Sequence, residues 1–83
     1  MLLNNELMQD LYYEAKAWDE IKDLPLSNRL NVFCDLYEYD LQNKDFDLAL
    51  TRYKSCELSY MKVLNTYKDL SLFEEFLEEQ DII

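Results

Sequence analysis

The side chains in this sequence that could do chemistry are carboxylates and tyrosines. Asp35, Glu38 and Asp40 stand close together, and Asp45 and Asp47 follow a few positions on. Such groups can hold a divalent cation or divide acid and base work between them. Neither set has a recognised ligand spacing, and charged faces of this density are ordinarily solvated, so no metal site and no catalytic residue is expected. The missing residue types say more. There is no histidine, which removes imidazole-activated nucleophiles, the usual imidazole metal ligand and the helical Glu-x-x-His motif of di-iron bundles. There is no glycine either, so a phosphate-cradling loop, a dinucleotide fingerprint and a calcium-binding EF-hand loop are all absent. The expectation is a protein that is not an enzyme and needs no cofactor.

Charge narrows the partners. Eighteen acidic against eight basic residues give a net charge of -10, a field that repels phosphate backbones and anionic lipid surfaces. Direct binding to nucleic acid or to a membrane is not expected. The same field attracts basic protein surfaces, including grooves that other proteins use to hold nucleic acid; its simpler use is solubility. The two cysteines, Cys34 and Cys56, fall inside helical patterns and read as buried free thiols in a reducing cytoplasm. No apolar run reaches the length of a membrane span.

The elements that must position these groups are helical. Residues 45 to 68 form the organising stretch, with Phe46, Ala49, Leu50, Tyr53, Cys56, Tyr60, Val63, Leu64 and Tyr67 at three- and four-residue steps. That spacing lays one apolar stripe along a long helix. Arg52, Lys54, Lys62 and Lys68, half of the positive charge, lie on its outer face and at its end. Glu57 falls inside the apolar arc and is expected to find a tyrosine hydroxyl or a lysine, or to lie at an edge, since a buried unpaired carboxylate is costly. Leu48 and Leu58 fall on the polar side, to meet another helix or to stay exposed for a partner.

Earlier in the chain, a helix is expected from about Asn4 to Lys22, capped by Asn4 or Asn5. Leu7, Leu11 and Trp18 mark its apolar line, flanked by Met8, Tyr12, Ala15 and Ile21, while Glu6, Asp10, Tyr13 and Glu20 cluster opposite, toward solvent. Pro25 ends it, and Ser27 can cap a second helix over Asn28 to Gln42. Leu30, Phe33, Cys34, Tyr37 and Leu41 give that helix one apolar face, widened by Val32, Leu36 and Tyr39. Asn43, Lys44 and Asp45 read as a tight connection, which would make the second and third helices an antiparallel hairpin. Ser71 and Glu74 fit a capping box that opens a short fourth helix burying Leu72, Phe73, Phe76 and Leu77. From Asp69 onward there are six acidic residues and no basic one; Lys54, Lys62 and Lys68 are their candidate partners within the chain. Taken together this is one all-α domain over 1–83, a bundle of three long helices and one short C-terminal helix.

The span from Phe33 to Leu64 resembles one tetratricopeptide hairpin, with Phe33-x-x-Leu36 in its first helix and Phe46, Ala49, Leu50, Tyr53 and Cys56 in its second. Tyr37 stands where that pattern has a small residue, Asp40 where it has tyrosine, and Met61 where it often has proline. In size, acidity and aromatic content the whole chain also resembles small phage-encoded inhibitors, among them anti-CRISPR proteins and other DNA mimics. That resemblance implies carboxylates projected in rows from rigid helices, neighbours at four-residue spacing lying about 6 Å apart, toward a groove built for phosphates. The candidate rows are Glu6, Asp10 and Glu14 with Glu20, and the cluster Glu74, Glu75, Glu78, Glu79 and Asp81. Tyr13 in the first row, and Tyr39 near Asp35 and Asp40, would supply anchoring contacts. The expected function is to bind a basic surface of a larger nucleic-acid-binding protein and block it. A helical adaptor or homodimer using Leu48, Leu58, Ile82 and Ile83, and an immunity protein against a basic toxin nuclease, are the alternatives.

Overall fold

The computed structural model describes residues 4–83. The fold is all-α: α1 (Asn4–Ile21), α2 (Leu26–Leu36), a 3₁₀ turn (Leu41–Asn43), α3 (Phe46–Tyr67) and α4 (Leu70–Glu79), with no strand among the described residues. Two helices are long and two are short, because α2 stops at Leu36 instead of continuing to Gln42.

The α1–α3 pair is the spine. On α3 the buried residues Ala49, Cys56 and Val63 recur every seven positions, with the partly covered Tyr53, Tyr60 and Tyr67 repeating beside them. This is the seam spacing of two helices packed side by side. The facing stripe on α1 contains Tyr12, Ala15, Trp18 and Ile21. Small residues at Ala15 and Ala49, both fully buried, leave room for the large rings at each end. At one end Tyr12, Ala15, Val63, Phe73, Leu77 and Ile82 form one apolar cluster, and at the other Ala17, Trp18, Ile21, Phe33 and Cys56 form a second. Tyr60 touches both and joins them.

The corners are held by side chains of a few kinds. After α1, the Arg29 Nε–H donates to the Leu24 carbonyl at 2.9 Å, and its guanidinium lies 5.8 Å over the Trp18 ring. At the α3–α4 corner Tyr67 stacks on Phe73 with ring centroids 4.6 Å apart. The C-terminal end is tied back where the Gln9 amide donates to the Ile82 carbonyl. Ile82 is therefore core and not an exposed contact residue.

The caps differ from those the sequence suggests. Helix α1 already includes Asn4, so its capping position lies outside the described residues. Helix α2 starts two residues before Asn28; Pro25 occupies its cap position with no side-chain bond, and the Ser27 hydroxyl only approaches the Asn28 side chain at 3.4 Å. Asp69, rather than Ser71, caps α4, accepting the Leu72 N–H at 2.9 Å. Leu72 faces outward, 46% exposed, while Phe73 and Leu77 are buried. Glu57 is exposed too, which removes any need for a buried partner.

Without glycine, the helix ends force other residues into positive φ. Glu38 (φ 58°) and Asp81 (φ 56°) each follow a helix, and the Tyr39 and Ile82 N–H groups reach back to the Cys34 and Leu77 carbonyls at 3.0 and 2.9 Å. This is the Schellman arrangement, with its apolar contact supplied by Tyr39 on Phe33 and by Ile82 in the core beside Leu77. A side chain with a Cβ pays a steric cost there that glycine avoids. Glu38→Gly and Asp81→Gly are each expected to stabilise the fold by about 0.5–1 kcal/mol, read as a rise in the urea midpoint. A fall in both would show that these side chains make favourable contacts.

Candidate functional site

The early end of α2 leaves a concavity between α1, α2 and α3. Tyr37 caps the helix, Glu38 turns the chain, and Tyr39 folds back so that its ring lies 6.0 Å from Phe33 and nearly parallel to it. Tyr37 leans on the same ring at 4.9 Å. This aromatic group faces α1 where α1 presents Ala17. The result is a half-open groove of about 240 Å³ lined by Asp10, Tyr13, Glu14, Ala17, Phe33, Tyr37, Tyr39, Arg52 and Cys56.

The groove has a particular electrostatic make-up. Glu14 is turned inward, its side chain 18% exposed. Its Oε2 accepts hydroxyl hydrogen bonds from Ser55 at 2.8 Å and Ser59 at 3.1 Å, cross-linking α1 to α3. Its Oε1 is less engaged, with Ser55 at 3.4 Å and the Arg52 guanidinium at the 4.0 Å limit of an ion pair. Burial pushes the Tyr37 phenol above its ordinary pKa, with the nearby Glu20 charge adding to the effect. Burial also holds the Cys56 thiol high, at about 11, so it lines the groove as a neutral thiol at neutral pH. Cys34 and Cys56 are both free and buried.

The structure brings together Asp10, Tyr13, Glu14 and Tyr39 of the sequence candidates. Glu6, Asp10, Tyr13 and Glu20 are exposed on α1. Glu14 leaves that row, because its carboxylate is used inside. Asp35 and Asp40 border a separate shallow hollow beside Tyr39. Asp40 is occupied in local turn-making: it accepts from the Gln42 N–H and the Asn43 side-chain amide, while Asp45 accepts from the Asp40 N–H at 2.9 Å. In place of a tight connection, the segment between α2 and α3 is thus a self-bonded loop, and α3 packs chiefly on α1 rather than on α2. Among the described residues no cluster of carboxylates or thiols is placed to hold a metal ion.

The C-terminal cluster also divides. Glu74 accepts a hydrogen bond from the Tyr12 hydroxyl, joining α4 to α1, whereas Glu75, Glu78, Glu79 and Asp81 are exposed. Among the described residues the ion pairs are Lys22 with Asp19 and Asp23, and Arg52 with Glu14. None joins the C-terminal acids to Lys54, Lys62 or Lys68. Among the described helices none is long and apolar enough to cross a membrane.

Tyr37, Arg52 and Ala17 were not legible as site residues. The one available signal was Ala17, a small residue set between Tyr13 and Glu20 in an otherwise polar stripe. It is buried because the end of α2 covers it. No protein-family model, curated protein or solved structure matches this chain.

Proposed function

We infer that this chain is a non-catalytic acidic protein of the reducing cytoplasm that binds a basic surface of a larger nucleic-acid-binding protein and blocks it, in the manner of phage-encoded anti-CRISPR and DNA-mimic inhibitors. The observation that carries this reading is the outer face of α1. Glu6, Asp10 and Glu20 project from it with exposed Tyr13 among them, and none of the three carboxylates has an ion-pair partner among the described residues. Fourteen positions separate Glu6 from Glu20, about 21 Å along a helix. The end of α2 crosses this face at Ala17, leaving Glu6 and Asp10 on one side of it and Glu20 on the other. Unneutralised charge spread over that length suits a groove shaped for a nucleic-acid backbone, and the tyrosine offers contact area at low entropic cost. The exposed Glu75, Glu78, Glu79 and Asp81 give a second face of the same sign.

The adaptor reading draws on a different observation, the exposure of Leu48 and Leu58 on α3. Salt separates the two, since charge-driven association weakens with ionic strength and an apolar interface holds. The test is capture of partners from nuclease-treated bacterial lysate on the immobilised chain, beside the triple variant Glu6→Gln, Asp10→Asn, Glu20→Gln. A nucleic-acid-binding protein should elute at moderate salt, its affinity should drop about tenfold in the variant, and its activity on nucleic acid should be inhibited by the free chain. Binding that survives both high salt and the triple substitution would overturn the reading in favour of the adaptor.

A further inference from the structure

The groove between α1, the end of α2 and α3 combines two features that the charged row alone lacks. It is lined by four aromatic residues, Tyr13, Phe33, Tyr37 and Tyr39, and by two carboxylates, Asp10 and Glu14. Asp10 has no ion-pair partner among the described residues, and Glu14 keeps one oxygen that is only weakly engaged. Aromatic faces attract cations through the ring quadrupole, and carboxylates select cations that can donate hydrogen bonds. The guanidinium group answers both demands: it is planar, stacks on rings, gives up its hydration more readily than an ammonium and pairs with two oxygens at once. The chain already uses this chemistry on itself, where Arg29 lies over the Trp18 ring.

We propose that this groove is a receptor for a single arginine side chain of the protein partner, the point at which a diffuse electrostatic association becomes a specific one. This rests on the reading that the partner presents a basic surface. Arg52 at the groove edge is consistent with it, since a 4.0 Å contact made by a half-exposed side chain is easily displaced or widened by a guanidinium entering beside it.

The probe is N-acetyl-arginine amide, titrated into the isotope-labelled full chain and followed by amide chemical shifts. Saturable changes at Ala17, Tyr37 and Tyr39, with a dissociation constant on the order of 1 mM, are expected. The lysine analogue should bind several-fold more weakly and the uncharged citrulline analogue not at all. Tyr13→Ala and Asp10→Asn replace exposed side chains, so the fold persists, and each should weaken the arginine probe several-fold. Equal shifts with citrulline, changes as large at Glu75 to Asp81 as in the groove, or indifference to both substitutions would overturn the proposal. If the probe fails while salt-sensitive capture of the partner persists, the groove assignment falls and the charged-face reading stands. If the probe binds and no partner with a basic surface is captured, the arginine site stands and the inhibitor reading falls.

Discussion

Phe73→Ala is expected to cost about 3–5 kcal/mol of stability, the range for emptying a fully buried aromatic site. Phe73 is 0% exposed. Tyr67 stacks on it from α3 and Tyr12 meets it edge-on from α1, at 4.6 and 6.3 Å between ring centroids. The three helices α1, α3 and α4 thus share one ring, and its loss leaves a cavity that cannot collapse without moving all of them. For an 83-residue chain the whole folding free energy is about 4–12 kcal/mol, so the variant should be largely unfolded or should melt at a much lower urea concentration. Leu72→Ala, one position earlier and facing outward, should change stability by no more than about 0.5 kcal/mol. Helical circular dichroism against urea measures both. Similar costs at the two positions would mean that α4 is rotated from the orientation described.

Alkaline pH is expected to unfold the protein in two stages, because ionisable groups that must stay neutral are built into the core. The Cys56 thiol, ordinarily near 9.0, is pushed up to about 11 by burial first, then by the Glu14 charge, with Arg52 opposing. In the unfolded chain this thiol ionises near 9 while the folded chain keeps its proton to about 11. Its contribution to stability is therefore complete below pH 9 and is lost as pH rises to 11, about 2–3 kcal/mol in all. The Tyr12 phenol is raised from its ordinary 10.0 by burial, by its hydrogen bond to Glu74 and by that residue's charge. The partly buried Tyr53 is raised by burial as well, so a second loss begins above pH 10. Urea midpoints at pH 8, 10 and 11 should fall progressively, and Cys56→Ala, though less stable at pH 8, should fall less between 8 and 10. A flat profile to pH 10.5, or an unchanged slope in Cys56→Ala, would contradict this account. The neutral, buried thiols should also resist alkylation until the chain unfolds.

The flatness of the molecule explains why exposed apolar side chains are common in it. Its extents are 41 × 31 × 17 Å and its radius of gyration is 13.7 Å, against about 12 Å for a rounded domain of this length. A slab that is thin in one direction cannot cover both sides of every helix. Leu48, Leu58 and Met61 on α3 are left facing solvent while the seam residues are buried. Their exposure follows from the geometry whether or not a partner covers them.

The sequence by itself determined the all-α class and both long helices, because α1 and α3 carry apolar residues at a helical period over five and six turns and nothing interrupts them. It also determined the corner at Pro25, where ring geometry leaves the chain no choice, and the outward placement of Glu6, Asp10, Tyr13 and Glu20. What it could not determine was decided by competition between local and tertiary contacts. The apolar pattern runs on through Tyr37, Tyr39 and Leu41 as if α2 continued, and no glycine announces the stop. The helix instead ends with a positive φ at Glu38, accompanied by the Tyr39 N–H bond back to the Cys34 carbonyl and by Tyr39 stacking on Phe33. At α4, Asp69 and Ser71 are both competent caps; burying Phe73 against Tyr12 and Tyr67 selects the frame in which Asp69 does it. The groove exists for the same reason. Asp10, Tyr13 and Glu14 could be placed on α1 from periodicity alone, but only the folded chain brings the end of α2 over Ala17, since contacts between residues twenty and forty positions apart leave no periodic trace in a single sequence.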